Sequence, residues 1–220
     1  MGRVRIIGGI NRSRILKFAD GVSGLRPTPD RVRETLFNWL GQDLTGKSCL
    51  DAYAGSGALG FEAASRNAKS VVMIDNNKSV AQDLEANKAL LHVDNVVIRN
   101  ESAINYLRTT QAQFDVIFLD PPYASVLLSE SLQIIRKRFS ASIANRVAES
   151  WATNSVLKPH GLVYVEYQHS NSKQHIIQKK MCHPGMGSGS STLDMDFSGY
   201  TVLKETKAGI VHAVLLQLNC

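Results

Sequence analysis

From Lys47 onward the chain alternates short apolar runs with stretches whose apolar positions recur at helical spacing, the pattern of a parallel sheet covered by helices. Ser48 to Asp51 predicts a first strand leading into a glycine turn at Gly55, and Phe61 to Arg66 a helix. The β-branched run Ser70 to Ile74 predicts a second strand ending at Asp75. Ser79 to Leu91, with Val80, Leu84 and Ala89 near helical spacing, predicts the helix after it. Val96 to Ile98 and Ala103 to Leu107 repeat the unit in shorter form. Asp115 to Leu119 is wholly apolar after its first residue, as a central strand covered on both faces should be. It must stop at Asp120-Pro121-Pro122-Tyr123, because two prolines cannot continue a ladder. Leu127 to Phe139 and Ile143 to Leu157 predict helices, Gly161 to Tyr167 a fifth strand, and Tyr200 to Glu205 with Ile210 to Leu218 an antiparallel hairpin at the sheet edge. Between His183 and Thr192 a Gly/Ser-rich stretch with no helix start behind it predicts a flexible surface loop.

Composition narrows the class. The 220 residues suffice for one sizeable core with a small appendage, and 44% apolar with 20% charged residues is the usage of a soluble globular protein. No apolar run approaches the roughly 18 residues of a membrane span, and Met1 to Ile10, interrupted by Arg3 and Arg5, offers no leader core. Cys49, Cys182 and Cys220 are distant and form no Cys-x-x-Cys pair, which suits a reducing cytoplasm. The net charge of +6 is concentrated at one end. Residues 1–40 hold Arg3, Arg5, Arg12, Arg14, Lys17, Arg26, Arg31 and Arg33 against Asp20, Asp30 and Glu34, or +5 of the total. A nearly neutral body behind a basic arm is the layout expected where the arm tracks phosphates, and equally that of a solubilising surface.

The candidate chemistry lies at two strand ends. In an open parallel sheet, ligands bind beyond the carboxyl ends of the strands where strand order reverses, and the first and fourth strands normally flank that point. Their loops here are Asp51-Ala52-Tyr53-Ala54-Gly55-Ser56-Gly57 and Asp120-Pro121-Pro122-Tyr123. Gly55, Gly57 and Gly60 spell G-x-G-x-x-G, with Asp75 20 residues after Gly55 placed to accept ribose hydroxyls. That text also suits a dinucleotide oxidoreductase, or a plain turn with Asp75 as a helix cap. Asp51 and three further residues before the first glycine argue for another cofactor, since an anion there repels a pyrophosphate but organises the ammonium of a sulfonium nucleoside. A base amino group is a poor nucleophile because its lone pair is conjugated with the ring. The Asp120 carboxylate and the Pro121 carbonyl can each accept one N–H and localise that lone pair, Pro122 stiffens the turn, and Tyr123 can stack on the base for about 1–3 kcal/mol.

With those residues in place, Asp-Pro-Pro-Tyr after a Gly-x-Gly strand resembles the class I methyltransferases that modify exocyclic amines of bases. Arg5-Ile6-Ile7-Gly8-Gly9, the segment Leu25 to Leu40 beginning Leu-Arg-Pro-Thr-Pro-Asp-Arg-Val-Arg, Leu50 to Gly60, and Lys207-Ala208-Gly209 are similar to the RsmD family. These are bacterial enzymes methylating a guanine amino group of small-subunit (16S) ribosomal RNA. The resemblance runs from about Arg3 to Tyr123 and resumes at Tyr200 to Val211. It implies a Rossmann-like α/β fold with a mostly parallel seven-stranded sheet, an antiparallel C-terminal hairpin and a small N-terminal arm. Residues 1–40 would form a basic RNA-binding and cofactor-lid segment, and residues 41–220 the catalytic domain, with an insertion at about 169–198.

The resemblance also implies S-adenosyl-L-methionine as cofactor. Asp51, Tyr53, Gly55, Ser56 and Gly57 would line its methionine part, Asp75 and Asn76 its ribose, and Ser102 and Ala103 its adenine, with Arg26 and Thr28 at the mouth. Asp120, Pro121, Pro122 and Tyr123 would hold the base, and Arg3, Arg5, Arg12, Arg14, Arg31 and Arg33 the RNA. The expected partner is 16S rRNA in an assembling small subunit, bound by a cytoplasmic monomer without metal or membrane. Ser102 stands where the family commonly has Asp or Asn, so its shorter hydroxyl reaches adenine through water. The rival readings are an adenine-N6 methyltransferase acting on DNA or RNA, the oxidoreductase, and an inactive RNA-binding protein. Cys49 and Trp39 predict core positions, and the six histidines show no metal-ligand spacing.

Overall fold

The computed structural model describes residues 2–19, 28–122, 125–145, 155–168 and 196–219. Seven strands form one sheet in the order β5-β4-β3-β6-β7-β9-β8. They are β3 (Ser48–Asp51), β4 (Ser70–Asp75), β5 (Val96–Asn100), β6 (Phe114–Leu119), β7 (Leu157–Gln168), β8 (Tyr200–Ala208) and β9 (Val211–Leu218). Pairing is parallel from β5 through β7 and antiparallel from β7 to β9 and from β9 to β8. This is the parallel sheet with an antiparallel C-terminal hairpin that the apolar pattern predicts, and the Rossmann-like fold that the resemblance implies. Strand order reverses between β3 and β6, where Cys49, Leu50 and Asp51 pair with Val116, Ile117 and Phe118.

Two apolar layers sandwich the sheet. Alternate residues of each strand enter opposite clusters: Cys49, Met73, Phe118 and Tyr164 face one, Leu50, Ile74, Leu119 and Val165 the other. On the first face lie α1 (Asp30–Trp39), α2 (Ala58–Ser65) and α3 (Lys78–Leu91). Phe37, Phe118 and Tyr164 form an aromatic row there, with centroids 6.1 and 6.3 Å apart. On the second face lie α4 (Ala103–Thr109) and α5 (Leu127–Asn145). Cys49 packs fully buried, its thiol pushed up to about 12 by burial, as a packing residue and not a nucleophile. Trp39 is partly buried against the first cluster.

The N-terminal arm contains a hairpin absent from the sequence reading, β1 (Gly2–Arg5) paired antiparallel with β2 (Ile15–Phe18). Val4, Leu16 and Phe18 turn into the same cluster as the sheet, while Arg3, Arg5 and Lys17 face outward. Asn87 of α3 ties down β2, accepting from the Lys17 amide at 3.0 Å and donating to its carbonyl at 2.7 Å.

Two boundaries differ from expectation. Helix α5 runs past the predicted end at Phe139 to Asn145, and at the far end of the predicted helix Ile143 to Leu157, Leu157 already pairs with Phe114 in β7. Residues 146–154 lie outside the described set. Strand β7 starts at Leu157 rather than Gly161 because a shift of register between Phe114 and Val116 absorbs the breaker residues Pro159 and Gly161 as a bulge. The Gly/Ser-rich stretch 183–192 and most of the insertion also lie outside the described residues. Among the described residues no helix is long and apolar enough to cross a membrane.

Candidate active site

The loops after β3 and β6 meet at the reversal of strand order. The Ala52 amide donates to the Phe118 carbonyl at 3.1 Å, and the Ala54 amide to Ile74 at 2.8 Å, so the β3 loop begins as an extension of the sheet. The chain then turns sharply into α2 through Gly57, whose φ of 78° is left-handed; a β-carbon there would lie 2.6 Å from Phe61 and 2.8 Å from Leu84. Gly60, one turn on, lets α2 press against β4, because a β-carbon would sit 2.8 Å from the Met73 side chain. Ser56 is buried in the same turn.

Strand parity places four carboxylates on one face at this edge. Asp51 follows Cys49, Asp75 follows Met73, Asp120 follows Phe118 and Glu166 follows Tyr164, all on the side of α1 and α2. In the register of β6 and β7, Leu119 opposes Val165, so Asp120 and Glu166 come next to each other. Asp51 is fully buried. Its Oδ2 accepts from the Gly60 amide at 2.9 Å, while Oδ1 makes no hydrogen bond of ordinary geometry among the described residues. Burial and the neighbouring Asp75 charge push its carboxyl up to about 7 against the opposing pull of the Gly60 and Tyr53 amides. Asp75 accepts from the Gly55 amide at 3.1 Å and the Asn77 amide at 2.8 Å, and burial raises its carboxyl despite both bonds. Asp120 lies well above the usual carboxylate range, first through burial and then through the Glu166 and Asp51 charges, with Thr28 opposing.

Such a cluster is starved of positive charge. Among the described residues no group of three or more His, Cys, Asp or Glu side chains is arranged to hold a metal ion. An organic cation fits the observations: the unpartnered, buried Asp51 Oδ1 wants a donor, and ionised Asp51 and Asp120 want a counter-charge. A sulfonium nucleoside with an α-ammonium group supplies both.

The remaining candidates are distributed as follows. Tyr53 reaches α5, its hydroxyl 2.8 Å from Ser131 Oγ, and so braces the glycine loop against the helix that follows the Asp-Pro-Pro loop. Asn76 is exposed beside Asp75. Ser102 is the N-cap of α4, accepting from the Asn105 amide at 3.4 Å, with Ala103 buried behind it. Pro121 is buried; the Pro122 carbonyl accepts from Ser125 at 2.7 Å, closing the turn. Thr28 is buried next to Asp120. Tyr123 and Arg26 lie outside the described residues.

Of the six arginines expected to meet RNA, Arg3, Arg5, Arg12, Arg14 and Arg31 are exposed. Arg33 requires correction: it is fully buried, its Nη2 donating to the Arg5 carbonyl at 2.8 Å and to Asp30 at 2.6 Å, its Nη1 facing Glu62 at 3.4 Å. A guanidinium so enclosed has no path to a phosphate. Three groups escaped the sequence reading. Glu166 was signalled only by an acid inside the apolar run Gly161 to Tyr167; Asn77, not Asp75, caps α3 by accepting from Ser79 and Val80. Glu62 carried no signal beyond an acid in an otherwise apolar helix.

Comparison with known proteins agrees with this geometry. A family profile described as conserved hypothetical protein 95 matches residues 4–195. The ribosomal RNA small subunit methyltransferase D of Haemophilus influenzae is 36% identical over 220 residues, covering 98% of this chain and 94% of its own. Its namesake from Escherichia coli K12 is 39% identical over 170 residues, 77% of each chain. The solved structure of the Escherichia coli protein yhhF superposes with a TM-score of 0.73 at 34% identity, covering 99% of this chain and 98% of that one. The chain therefore belongs to the conserved hypothetical protein 95 family, the RsmD family of bacterial methyltransferases.

Proposed function

We propose that this protein is an S-adenosylmethionine-dependent methyltransferase acting on the exocyclic N2 amine of a guanine in 16S ribosomal RNA, within an assembling small subunit. The observation that carries the reading is the unpartnered Asp51 Oδ1 among convergent carboxylates, one strand away from Asp120-Pro121-Pro122. Ribosomal RNA as substrate comes from the names of the relatives, and guanine from the likeness to the RsmD family.

When bound, S-adenosylmethionine supplies a methyl group activated on a sulfonium centre. Asp51 would hold an ammonium group with its unpaired oxygen, the turn at Gly55 to Gly57 would admit a ligand close to the backbone, and Asp75 with Asn76 would hold a ribose. A positive charge in the site draws Asp51 and Asp120 back towards the ionised form, so the acceptor needed for chemistry develops as the site fills. Asp120 and the Pro121 carbonyl would then each take one N–H of the base amine, and the stacking role expected of Tyr123 falls on a residue outside the described set. No covalent enzyme intermediate is required.

The outer face of the hairpin supports a polyanionic substrate. Arg3 and Lys17 oppose each other directly across β1 and β2, an arrangement that costs stability unless an anion bridges it. Mapping methylated bases in 16S rRNA from cells with and without this gene tests the function; a guanine N2 methyl group vanishes with the gene, and an unchanged methylation map rejects the reading. Asp120→Ala is expected to abolish turnover while cofactor binding survives, weakened only by the loss of one of the carboxylates that the bound cation favours in ionised form. Full activity in that variant removes the proposed mechanism.

A further inference from the structure

The buried Arg33 points to something the motif residues do not explain. Its four contacts gather the ends of three elements: the Arg5 carbonyl at the end of β1, Asp30 at the start of α1, Glu62 in α2, and, through Nε at 3.2 Å, the carbonyl of Thr28. Thr28 is itself buried, and its hydroxyl lies 3.5 Å from Asp120 Oδ2. Arg33 and Glu62 are both fully buried, and Glu62 is held in turn by the Arg66 guanidinium and by the Ile7 and Gly8 amides. A continuous chain of polar contacts thus runs from the floor of α2 to the carboxylate at the end of β6. It crosses 92 residues of sequence in its last link.

We propose that the Thr28 hydroxyl holds one oxygen of Asp120, leaving the other aimed at the base amine, and that Arg33, anchored on Glu62, is the positioning residue that keeps Thr28 in place. The proposal rests on the reading of Asp120 as acceptor. At 3.5 Å the contact is long for a hydroxyl and a carboxylate; catalytic hydrogen bonds of this kind are often long before substrate enters and shorten in the working complex. The segment 28–33 so gains a task apart from RNA contact, and Arg33 the role that its burial denies it at the surface.

The charged and titratable groups facing Asp120 are Asp51 from β3 and Glu166 from β7, which accepts from Tyr164 at 3.1 Å; Arg33 and Glu62 stand one contact further back, behind Thr28. Only Thr28 among these lowers the Asp120 carboxyl. Removing its hydroxyl therefore raises that carboxyl further and moves the acid limb of the rate to higher pH.

The test measures kcat against pH for the full chain at saturating S-adenosylmethionine, with small-subunit RNA particles as acceptor, for wild type, Thr28→Val and Thr28→Ser. Thr28→Val keeps shape and loses the donor; the expected result is a loss of about tenfold in kcat near pH 7 and an acid limb displaced upward. Thr28→Ser is expected to restore both, and cofactor affinity to stay within about threefold throughout. Arg33→Lys, which keeps the charge but not the Nε donor, is expected to displace the limb in the same direction. An unmoved limb in Thr28→Val overturns the proposal, as does a defect confined to cofactor affinity. Wild-type protein that methylates no guanine defeats the functional reading instead, so the two failures are told apart.

Discussion

Asp51 illustrates how one side chain can trade stability for binding. Its folded carboxyl titrates at about 7, against about 4 in an unfolded chain, so the folded state keeps its proton longer. The sign follows directly: this group's contribution to stability is greatest below about pH 4 and is lost as pH rises from about 4 to about 7. Above that range the ligand-free protein carries a buried, half-satisfied anion. Asp51→Asn keeps an acceptor for the Gly60 amide and removes the charge. Thermal or urea unfolding should then show the ligand-free variant more stable than wild type by about 1–3 kcal/mol at pH 8, with the difference vanishing near pH 4. Calorimetric titration should show cofactor binding weakened tenfold or more, since the ammonium loses its counter-charge. A variant less stable than wild type at pH 8 contradicts this account of Asp51.

Among the elements, the N-terminal hairpin is fastened to α2 by the Glu62 carboxylate and by Ser65, whose hydroxyl accepts from the Asn11 amide at 2.9 Å and donates to the Gly8 carbonyl at 2.6 Å. Glu62 accepts from the Ile7 and Gly8 amides, each at 2.8 Å, and meets Arg33 at 3.4 Å and Arg66 at 2.8 Å. Removing one partner of such a buried ion network leaves the others uncompensated, so Glu62→Ala is expected to cost about 3–5 kcal/mol in urea unfolding. A loss under 1 kcal/mol refutes the fastening role. Apart from the i,i+4 pair with Arg66, none of this was legible in the sequence, because the other partners lie 29 to 55 residues from Glu62 and only packing brings them together. Strand β3 was legible to the residue because it leads straight into the glycine turn, and β4 and β6 nearly so, since central strands buried on both faces read as apolar runs. The hairpin was missed although Arg3-Val4-Arg5 and Leu16-Lys17-Phe18 alternate, because four-residue strands offer too few periods to stand out. Helix α2 begins at Ala58, three residues before the predicted start, because Gly60 reads as a breaker and is in fact the point where helix and strand touch. The places of Asp51, Asp75 and Asp120 at strand ends were legible because they follow from the strands themselves. Glu166 was not legible as their neighbour, because its meeting with Asp120 depends on which strand pairs with β6.

At the scale of the whole molecule, charge and chemistry occupy different places. The excess of positive charge lies in residues 1–40, whereas the carboxyl edge of the sheet is acidic and partly hidden. Burial refines the count: Arg33 is consumed by Asp30 and Glu62, and Arg66, outside that segment, by Glu62, so neither contributes to the field a polyanion meets. What remains exposed among the described residues of the arm is Arg3, Arg5, Arg12, Arg14, Lys17 and Arg31, with Arg5 partly offset by Asp30 at 3.5 Å. Each cation that meets a phosphate releases counterions, which steepens the fall of log affinity with log salt by about 0.7 for single-stranded nucleic acid. Replacing Arg3, Arg12, Arg14 and Lys17 together by Ala should therefore flatten the salt dependence of RNA binding by about 3 and weaken binding alike for RNAs of any sequence. Filter binding from 50 to 300 mM salt measures both quantities on the full chain. These four side chains are exposed and carry none of the contacts to Asp51 or Asp120, so cofactor affinity should stay at the wild-type value. An unaltered salt slope in the quadruple variant places the RNA on another face and leaves the basic arm a solubilising surface.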